Sequence, residues 1–368
     1  MRMIGKEIAI ILGLTVFLSC NMNHPSPCLN VDIDCRLEEG TSFFDWFQNV
    51  RAVPLDKDLI ISNGKFSEPQ YYDISDSTLY ILDVRSNNTY SFDLNGKYKK
   101  TIAKRGRGAG EYTLAYAIRI SQSGKCVKVL DPRGSIYSYS ESFEGSEQIE
   151  GLRAVHNFIE VGKKTVLFSS AEEPYLWILE DGISRPVRYD STFPLKGQFN
   201  APDPFISCQD DRLYYFEAFS GNIFELDFEN DCAEPVYSWD FGKHNSEVVD
   251  MSDSTIDFFD YLKGESFEKV FPFLNMVMAG DCIFANVLFH NEEYSLFYNL
   301  STKESAFFKK FKEGIEMKVS LYKNGRLYAI IEPEFLDNYV NDSIFNNPEQ
   351  LTFLKNWHNG ILLEYTPK

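Results

Sequence analysis

Leu79-Tyr80-Ile81-Leu82-Asp83-Val84-Arg85-Ser86-Asn87-Asn88-Thr89-Tyr90-Ser91-Phe92-Asp93-Leu94-Asn95-Gly96 reads as two short strands with a turn after each. An apolar run ends in an acidic residue, Ser86-Asn87-Asn88 turns the chain, an alternating run follows, and Asn95-Gly96 is a dipeptide that closes tight hairpins. The unit recurs. Val127-Lys128-Val129-Leu130-Asp131 leads through Arg133-Gly134 to Ile136-Tyr137-Ser138-Tyr139 and Glu144-Gly145. Thr165-Val166-Leu167-Phe168 leads to Leu176-Trp177-Ile178-Leu179 and Asp181-Gly182, and Leu213-Tyr214-Tyr215-Phe216-Glu217 to Ile223-Phe224-Glu225-Leu226. A fifth copy runs from Cys282-Ile283-Phe284 to Tyr294-Ser295-Leu296-Phe297-Tyr298, and a sixth begins at Leu327-Tyr328-Ala329-Ile330-Ile331-Glu332. Six copies spaced by roughly 35–50 residues suit the four-stranded blades of a propeller. A chain of 368 residues exceeds what one hydrophobic core serves, and a repeated core resolves that difficulty.

Apolar stretches ahead of the copies, such as residues 115–120, 158–161 and 317–322, supply innermost strands. In the last copy the third strand comes late, at Ile361-Leu362-Leu363-Glu364-Tyr365, and no outer strand follows it. Residues 47–55, around Asn49-Val50-Arg51-Ala52-Val53-Pro54-Leu55, are placed to provide it, joining the two ends and removing a sheet edge. Pro54 is compatible with an outermost strand. The expectation is an all-β, six-bladed β-propeller over residues 41–368, closed in its last blade by an N-terminal strand. Two stretches break the repeat. Near 252–271, Ile256, Phe259, Leu262 and Phe267 fall close to helical spacing behind the capping residues Ser252, Asp253 and Ser254; across 334–358, Leu336, Tyr339, Val340, Leu351, Leu354 and Trp357 do the same. Both read as short helical insertions that either cap one face or pad the fold.

At the N-terminus, Arg2 and Lys6 precede an apolar run from Ile8 to Leu18 that is too short for a permanent membrane helix, and Ser19-Cys20 follows at once. This reads as a signal peptide over residues 1–19, cleaved before a lipid-bearing Cys20, with 20–40 as a lipidated tether. Multiple acyl chains would give a stable membrane anchor. Cleavage removes two of 36 basic and one of 54 acidic residues, leaving 34 and 53 and a formal charge of −19. An anionic chain of this kind repels nucleic acid, so no nucleic-acid partner is expected. Beyond Cys20, Cys28 and Cys35 are near enough in sequence to close a small loop, while Cys126, Cys208 and Cys282 read as buried free thiols.

Lys104-Arg105-Gly106-Arg107-Gly108-Ala109-Gly110-Glu111-Tyr112 follows the first repeat. It resembles the Lys-Arg-Gly-x-Gly-x-Gly-Glu-Tyr loop of the six-bladed, NHL/TolB-like β-propeller lipoproteins of Bacteroidetes. The resemblance implies a propeller fold and a cell-envelope, outer-membrane address, with no shared reaction. The acidic run that marks surface export in such lipoproteins is absent from Asn21-Met22-Asn23-His24-Pro25, so the leaflet stays open. Alternate glycines free the backbone, and the amides of Gly106, Gly108 and Gly110 beside Arg105 and Arg107 could cradle an anion. The same glycines equally serve a connector between blades with Tyr112 packed against the next one, the reading the resemblance favours.

Asp83, Asp131, Glu217 and Glu332 end second strands in four copies. Equivalent positions in a ring could gather carboxylates on one axis and hold calcium, with Asn286 as a further ligand, as in propeller lactonases. An Asp before a turn also caps backbone amides of its own blade. His24, His156, His244, His290 and His358 are dispersed, with no His-Glu-x-x-His, no Gly-x-Ser-x-Gly and no phosphate loop. Ser77, Ser191, Ser254 and Ser343, each after Asp, resemble O-glycosylation acceptors of Bacteroidetes envelope proteins. The functional expectation is a cofactor-free binding or scaffolding module for a glycan, peptide or envelope protein, on which Trp357 or Tyr339 could stack against sugar. The alternative is a calcium-dependent hydrolase or lyase working at the central channel.

Overall fold

The computed structural model describes residues 26–59, 71–152, 154–169, 175–189, 203–209, 212–218, 221–246, 264, 266–318, 320–345 and 347–368. Cys20, Ser191, Ser254 and most of the 252–271 stretch lie outside them. Six small antiparallel sheets form the blades of a β-propeller. Blade 1 comprises Tyr72–Ile74, Thr78–Asp83, Asn88–Asp93 and Tyr98–Ala103, in that order from the axis outward. Blades 2 to 5 repeat the pattern from innermost strands Ala117–Ile120, Val155–Val161, Phe205–Gln209 and Phe273–Ala279. The innermost strands pack beside one another around the ring, as Tyr72–Ile74 does with Ala117–Ile120 and Phe273–Ala279 with Leu321–Lys323.

Every blade is covered on both faces by its neighbours, which is why the second strands are near-continuous apolar runs instead of strict alternations. Leu82, Ala103 and Tyr112 from the blade 1 side mesh with Ile118, Val127 and Val129 of blade 2 in one cluster. Phe47, Phe284, Phe297 and Tyr365 meet between blades 5 and 6. Burying a side chain of this size stabilises by about 1.5–3 kcal/mol.

Blade 6 takes Leu321–Lys323, Arg326–Ile331 and Ile361–Pro367 from the C-terminal end of the chain, and its outer strand Phe47–Pro54 from the N-terminal side. The closure expected from residues 47–55 is therefore present, antiparallel, with Val50 opposite Tyr365 and Pro54 opposite Ile361. Buried Glu364 sits between Arg326, which donates to its Oε1, and Arg51, 3.5 Å from its Oε2, so one carboxylate ties three adjacent strands. The outer strand then rests on the Asn95-Gly96 turn of blade 1. Arg51 donates to Asn95 Oδ1 at 2.9 Å and Asp56 N donates to Gly96 O at 2.9 Å. Gly96 has φ +83°, and a Cβ there would lie 2.0 Å from Pro54 O. Only glycine satisfies both the turn and this approach.

Residues 28–40, expected as part of a tether, are instead built onto the propeller. Cys28–Asn30 adds a parallel fifth strand outside Cys232–Asp240 of blade 4, with Cys28 opposite Ser238. Helix Ile33–Glu39 follows, its first turn capped by Asp32, which accepts from Cys35 N at 3.1 Å. Cys28 and Cys35 are both free thiols, because the strand fixes one and the helix the other, so the small disulfide loop does not form. In the 334–358 insertion, helices Leu336–Tyr339 and Pro348–Lys355 bury Leu336, Leu351 and Leu354 against the blade 5 and 6 cluster. Tyr339 and Trp357 pack against the same cluster, and Trp357 Nε1 donates to Leu55 O at 3.1 Å. Their position is that of core aromatics.

Candidate functional site at the central channel

The innermost strands share one polar device. Asp73, Asn157 and Asn275, in blades 1, 3 and 5, each turn Oδ1 back to accept the N–H of the next residue, at 2.8 Å in all three cases. In blades 3 and 5 a β-bulge beside the residue aims the side chain inward. In blades 1 and 3 the second polar atom ties to the next blade. Asp73 Oδ2 accepts Ile120 N at 2.7 Å, and Asn157 Nδ2 donates to Asp203 Oδ1 at 3.1 Å. These are beams that hold neighbouring blades at fixed separation.

Arg119 of blade 2 lies across them. Its Nε donates to Phe158 O at 3.1 Å and its Nη2 to Asn157 Oδ1 at 3.2 Å and to Asp203 Oδ2, so one guanidinium joins blades 2, 3 and 4. Burial pushes the Asp203 carboxyl up, and the Arg119 guanidinium opposes that shift. Above this floor opens a cavity of about 790 Å³, a size within the range of roughly 300–1,000 Å³ that ligand sites span. Its rim is built by the tips of three neighbouring hairpins: Ser75, Asp76 and Ser77 of blade 1, Ser121 to Gly124 of blade 2, and Lys323 to Gly325 of blade 6. Asn324 Nδ2 donates to Asp76 Oδ1 at 3.1 Å and joins two of these tips. Phe205, Ile206, Met276 and Val277 from blades 4 and 5 add apolar surface on the opposite side, beside Asp203 and Asn275. Glu160 is paired to Lys128 and accepts Gln122 N at 3.2 Å.

The family described as "Domain of unknown function (DUF4934)" matches residues 28–359. The chain belongs to DUF4934. No curated protein matches the sequence. Among solved structures, this DUF4934 chain is similar to a candidate exported protein from Bacteroides fragilis, with TM-score 0.66 and 13% identity over 93% of this chain and 99% of that one. It is also similar to a member of the DUF4221 family from Bacteroides vulgatus, with TM-score 0.58 and 10% identity over 88% and 97% of the two chains. Identities this low carry the fold alone. They agree with a propeller family of Bacteroidetes, the coarser part of the resemblance drawn from residues 104–112.

None of the five residues assigned from sequence to a calcium ring lines the channel cavity of the DUF4934 propeller. Asp83 accepts Arg85 N at 3.0 Å and Ser86 Oγ at 2.9 Å, which is turn capping. Asp131 accepts Arg133 N at 3.0 Å, Thr113 Oγ1 at 2.8 Å and Thr113 N at 3.2 Å. Burial alone would raise its pKa, but these hydrogen bonds and the Arg133 charge outweigh burial and hold it below the ordinary value. Asn286 Nδ2 donates to Met317 O at 3.0 Å, Glu217 is buried, and Glu332 stands ahead of the 3₁₀ turn Pro333–Phe335. Among the described residues no group of three or more His, Cys, Asp or Glu is placed to hold a metal.

In the glycine loop, Gly106 N donates to Tyr112 O at 2.8 Å and Gly108 N to Glu111 Oε2 at 2.8 Å, while Arg105 N reaches Asn88 Oδ1 at 3.0 Å. The chain's own Glu111 carboxylate takes the Gly108 amide, and Tyr112 O takes that of Gly106. A Cβ at Gly106 would lie 1.9 Å from Glu111 Oε2, and one at Gly110 2.5 Å from Phe143 Cγ. Tyr112 is fully buried between blades 1 and 2 and donates to Asn87 O at 3.0 Å. The loop has the geometry of a connector, with Arg107 on its surface. Ser77 and Ser343 are exposed in turns. The channel residues themselves were not singled out in the sequence. Their signal is an Asx in the apolar stretch preceding the first, third and fifth copies, as in Tyr72-Asp73-Ile74 and Leu274-Asn275-Met276.

Proposed function

We propose that this chain is a lipid-anchored envelope module that binds a glycan at the mouth of its central channel, without catalysing a reaction. The observation that carries this reading is the two-sided cavity. Hydroxyl, amide and charged groups from three hairpin tips face a side on which Phe205, Ile206, Met276 and Val277 of blades 4 and 5 add apolar surface. A sugar ring offers both surfaces, with hydroxyls on its edge and C–H groups on its face. The groups at the floor are held by bonds to the framework, so the cavity is preorganised and binding need not order it. The signal peptide of residues 1–19 and lipid on Cys20 would put the module on the outer membrane. The similarly folded B. fragilis protein, described as a candidate exported protein, supports an envelope or secreted location. No helix among the described residues is long and apolar enough to cross a membrane.

Ser123 is exposed at a rim tip, where its hydroxyl meets only Ser121 Oγ and Lys125 N within its own hairpin, so Ser123→Trp would fill the mouth while leaving the blades intact. Retention of envelope polysaccharide by the native protein, lost in Ser123→Trp at an unchanged thermal midpoint, is the expected result. Equal retention by both would place the glycan elsewhere on the surface. A calcium-dependent hydrolase or lyase working at the central channel is the competing reading, tested by the midpoint in EDTA and in millimolar calcium. A rise of several degrees with calcium, abolished by Asp131→Ala or Glu217→Ala, would favour it.

A further inference from the structure

The cavity is asymmetric in its hydrogen-bonding capacity. Its four carboxylates already accept hydrogen bonds: Asp73 from two backbone amides, Asp76 from Asn324 Nδ2, Asp203 from Asn157, Phe205 N and Arg119, and Glu160 from Gln122 N beside its ion pair with Lys128. Its cations are not so occupied. Lys323 Nζ stands 3.6 Å from Asp73 Oδ1, beyond hydrogen-bond reach, and makes no hydrogen bond among the described residues. An ammonium has three N–H groups to give. Arg119 commits Nε and Nη2 to blades 3 and 4, and its Nη1 makes no hydrogen bond among the described residues. Lys323 keeps 38% of its side chain exposed against 9% for Arg119, so the lysine is reachable and the arginine forms the floor beneath it.

We propose that the ligand presents a carboxylate, as a uronic-acid sugar does, to Lys323 Nζ and Arg119 Nη1. This rests on the glycan reading above and names the sugar class. Charge-assisted bonds to a fixed ammonium and guanidinium would select the acid over its neutral counterpart. The hydroxyls of the same sugar would meet the Ser75, Ser121 and Ser123 rim.

The test is calorimetric titration of the full-length protein in detergent with tetragalacturonate, and with the same oligosaccharide after reduction of its carboxylates to hydroxymethyl groups. The expected result is binding of the acid at least about tenfold tighter than the reduced form. Lys323→Met should erase that difference and Lys323→Arg should keep it, each titrated below its own thermal midpoint so that lost binding is read on folded protein. Equal affinity for both sugars overturns the carboxylate assignment and leaves the glycan reading standing. Binding of neither sugar overturns both. Lys323-dependent binding of a peptide by its free C-terminal carboxylate, with no sugar bound, also overturns the proposal and gives the site to peptides.

Discussion

Asp131 ends the second strand of blade 2 with its carboxylate buried and accepting from Arg133 and Thr113. Its folded pKa is depressed below the unfolded carboxylate value of about 3.9. A depressed acid contributes stability above the unfolded value, and the contribution is lost as pH falls through the folded one. Asp131→Asn should therefore lower stability by about 1–2 kcal/mol near neutral pH. The gap between the two midpoints should shrink once the pH drops below about 4. Thermal scans across pH check this, and a gap independent of pH would remove the carboxylate from the account. Arg119 carries a larger stake, because its loss strands a buried Asp203. Arg119→Met should cost about 3–5 kcal/mol, and adding Asp203→Asn should recover part of it by removing the unpaired charge. Denaturant midpoints of the three variants read the cycle, and no recovery would mean the pair is not coupled. Asp131 was legible in the sequence as a turn cap because its partners lie nearby in the chain. Asp203 was not, since its pairing with Arg119 needs the ring to close first.

Between the blades, what the sequence revealed and what it hid divide by the range of the pairing. Hairpins such as Thr78–Asp83 with Asn88–Asp93 are local and announce themselves through turn residues. The closure by Phe47–Pro54 was visible only as a deficit, an outer strand missing from the last copy. Cys28–Asn30 left no deficit to notice, because blade 4 already has its four strands and the added one pairs in parallel on the outer edge. The closing element also fixes a residue far from it in sequence. Gly96 turns blade 1 with φ +83° directly beneath Pro54 O. Gly96→Ala therefore meets both a left-handed backbone and a backbone clash, and should destabilise by about 2 kcal/mol or more. A drop in the midpoint with unchanged far-UV dichroism is expected, since the blades survive while the seam loosens. A midpoint within a degree of the native value would show that the outer strand does not seat on that turn.

For the molecule as a whole, the proposed lipid anchor at Cys20 lies ahead of the described residues of the propeller. Ser26 Oγ donates to Pro235 O at 2.7 Å on the outer edge of blade 4, and the strand that closes the ring, Phe47–Pro54, follows later in the chain. The proposed lipid sits at Cys20, so the anchor and the propeller draw on different residues. Several acyl chains hold a protein firmly at a bilayer, and without them a chain of net charge −18 has no electrostatic attraction to anionic lipid. Cys20→Ala should therefore move the protein from the membrane fraction to the soluble one and abolish labelling by radioactive palmitate. The thermal midpoint and glycan retention of the released protein should match those of the anchored form. Membrane association that survives Cys20→Ala would mean that a protein surface, not lipid, holds the propeller in place. The exposed Phe335 and Phe353 of the blade 6 insertion would then be the first positions to change.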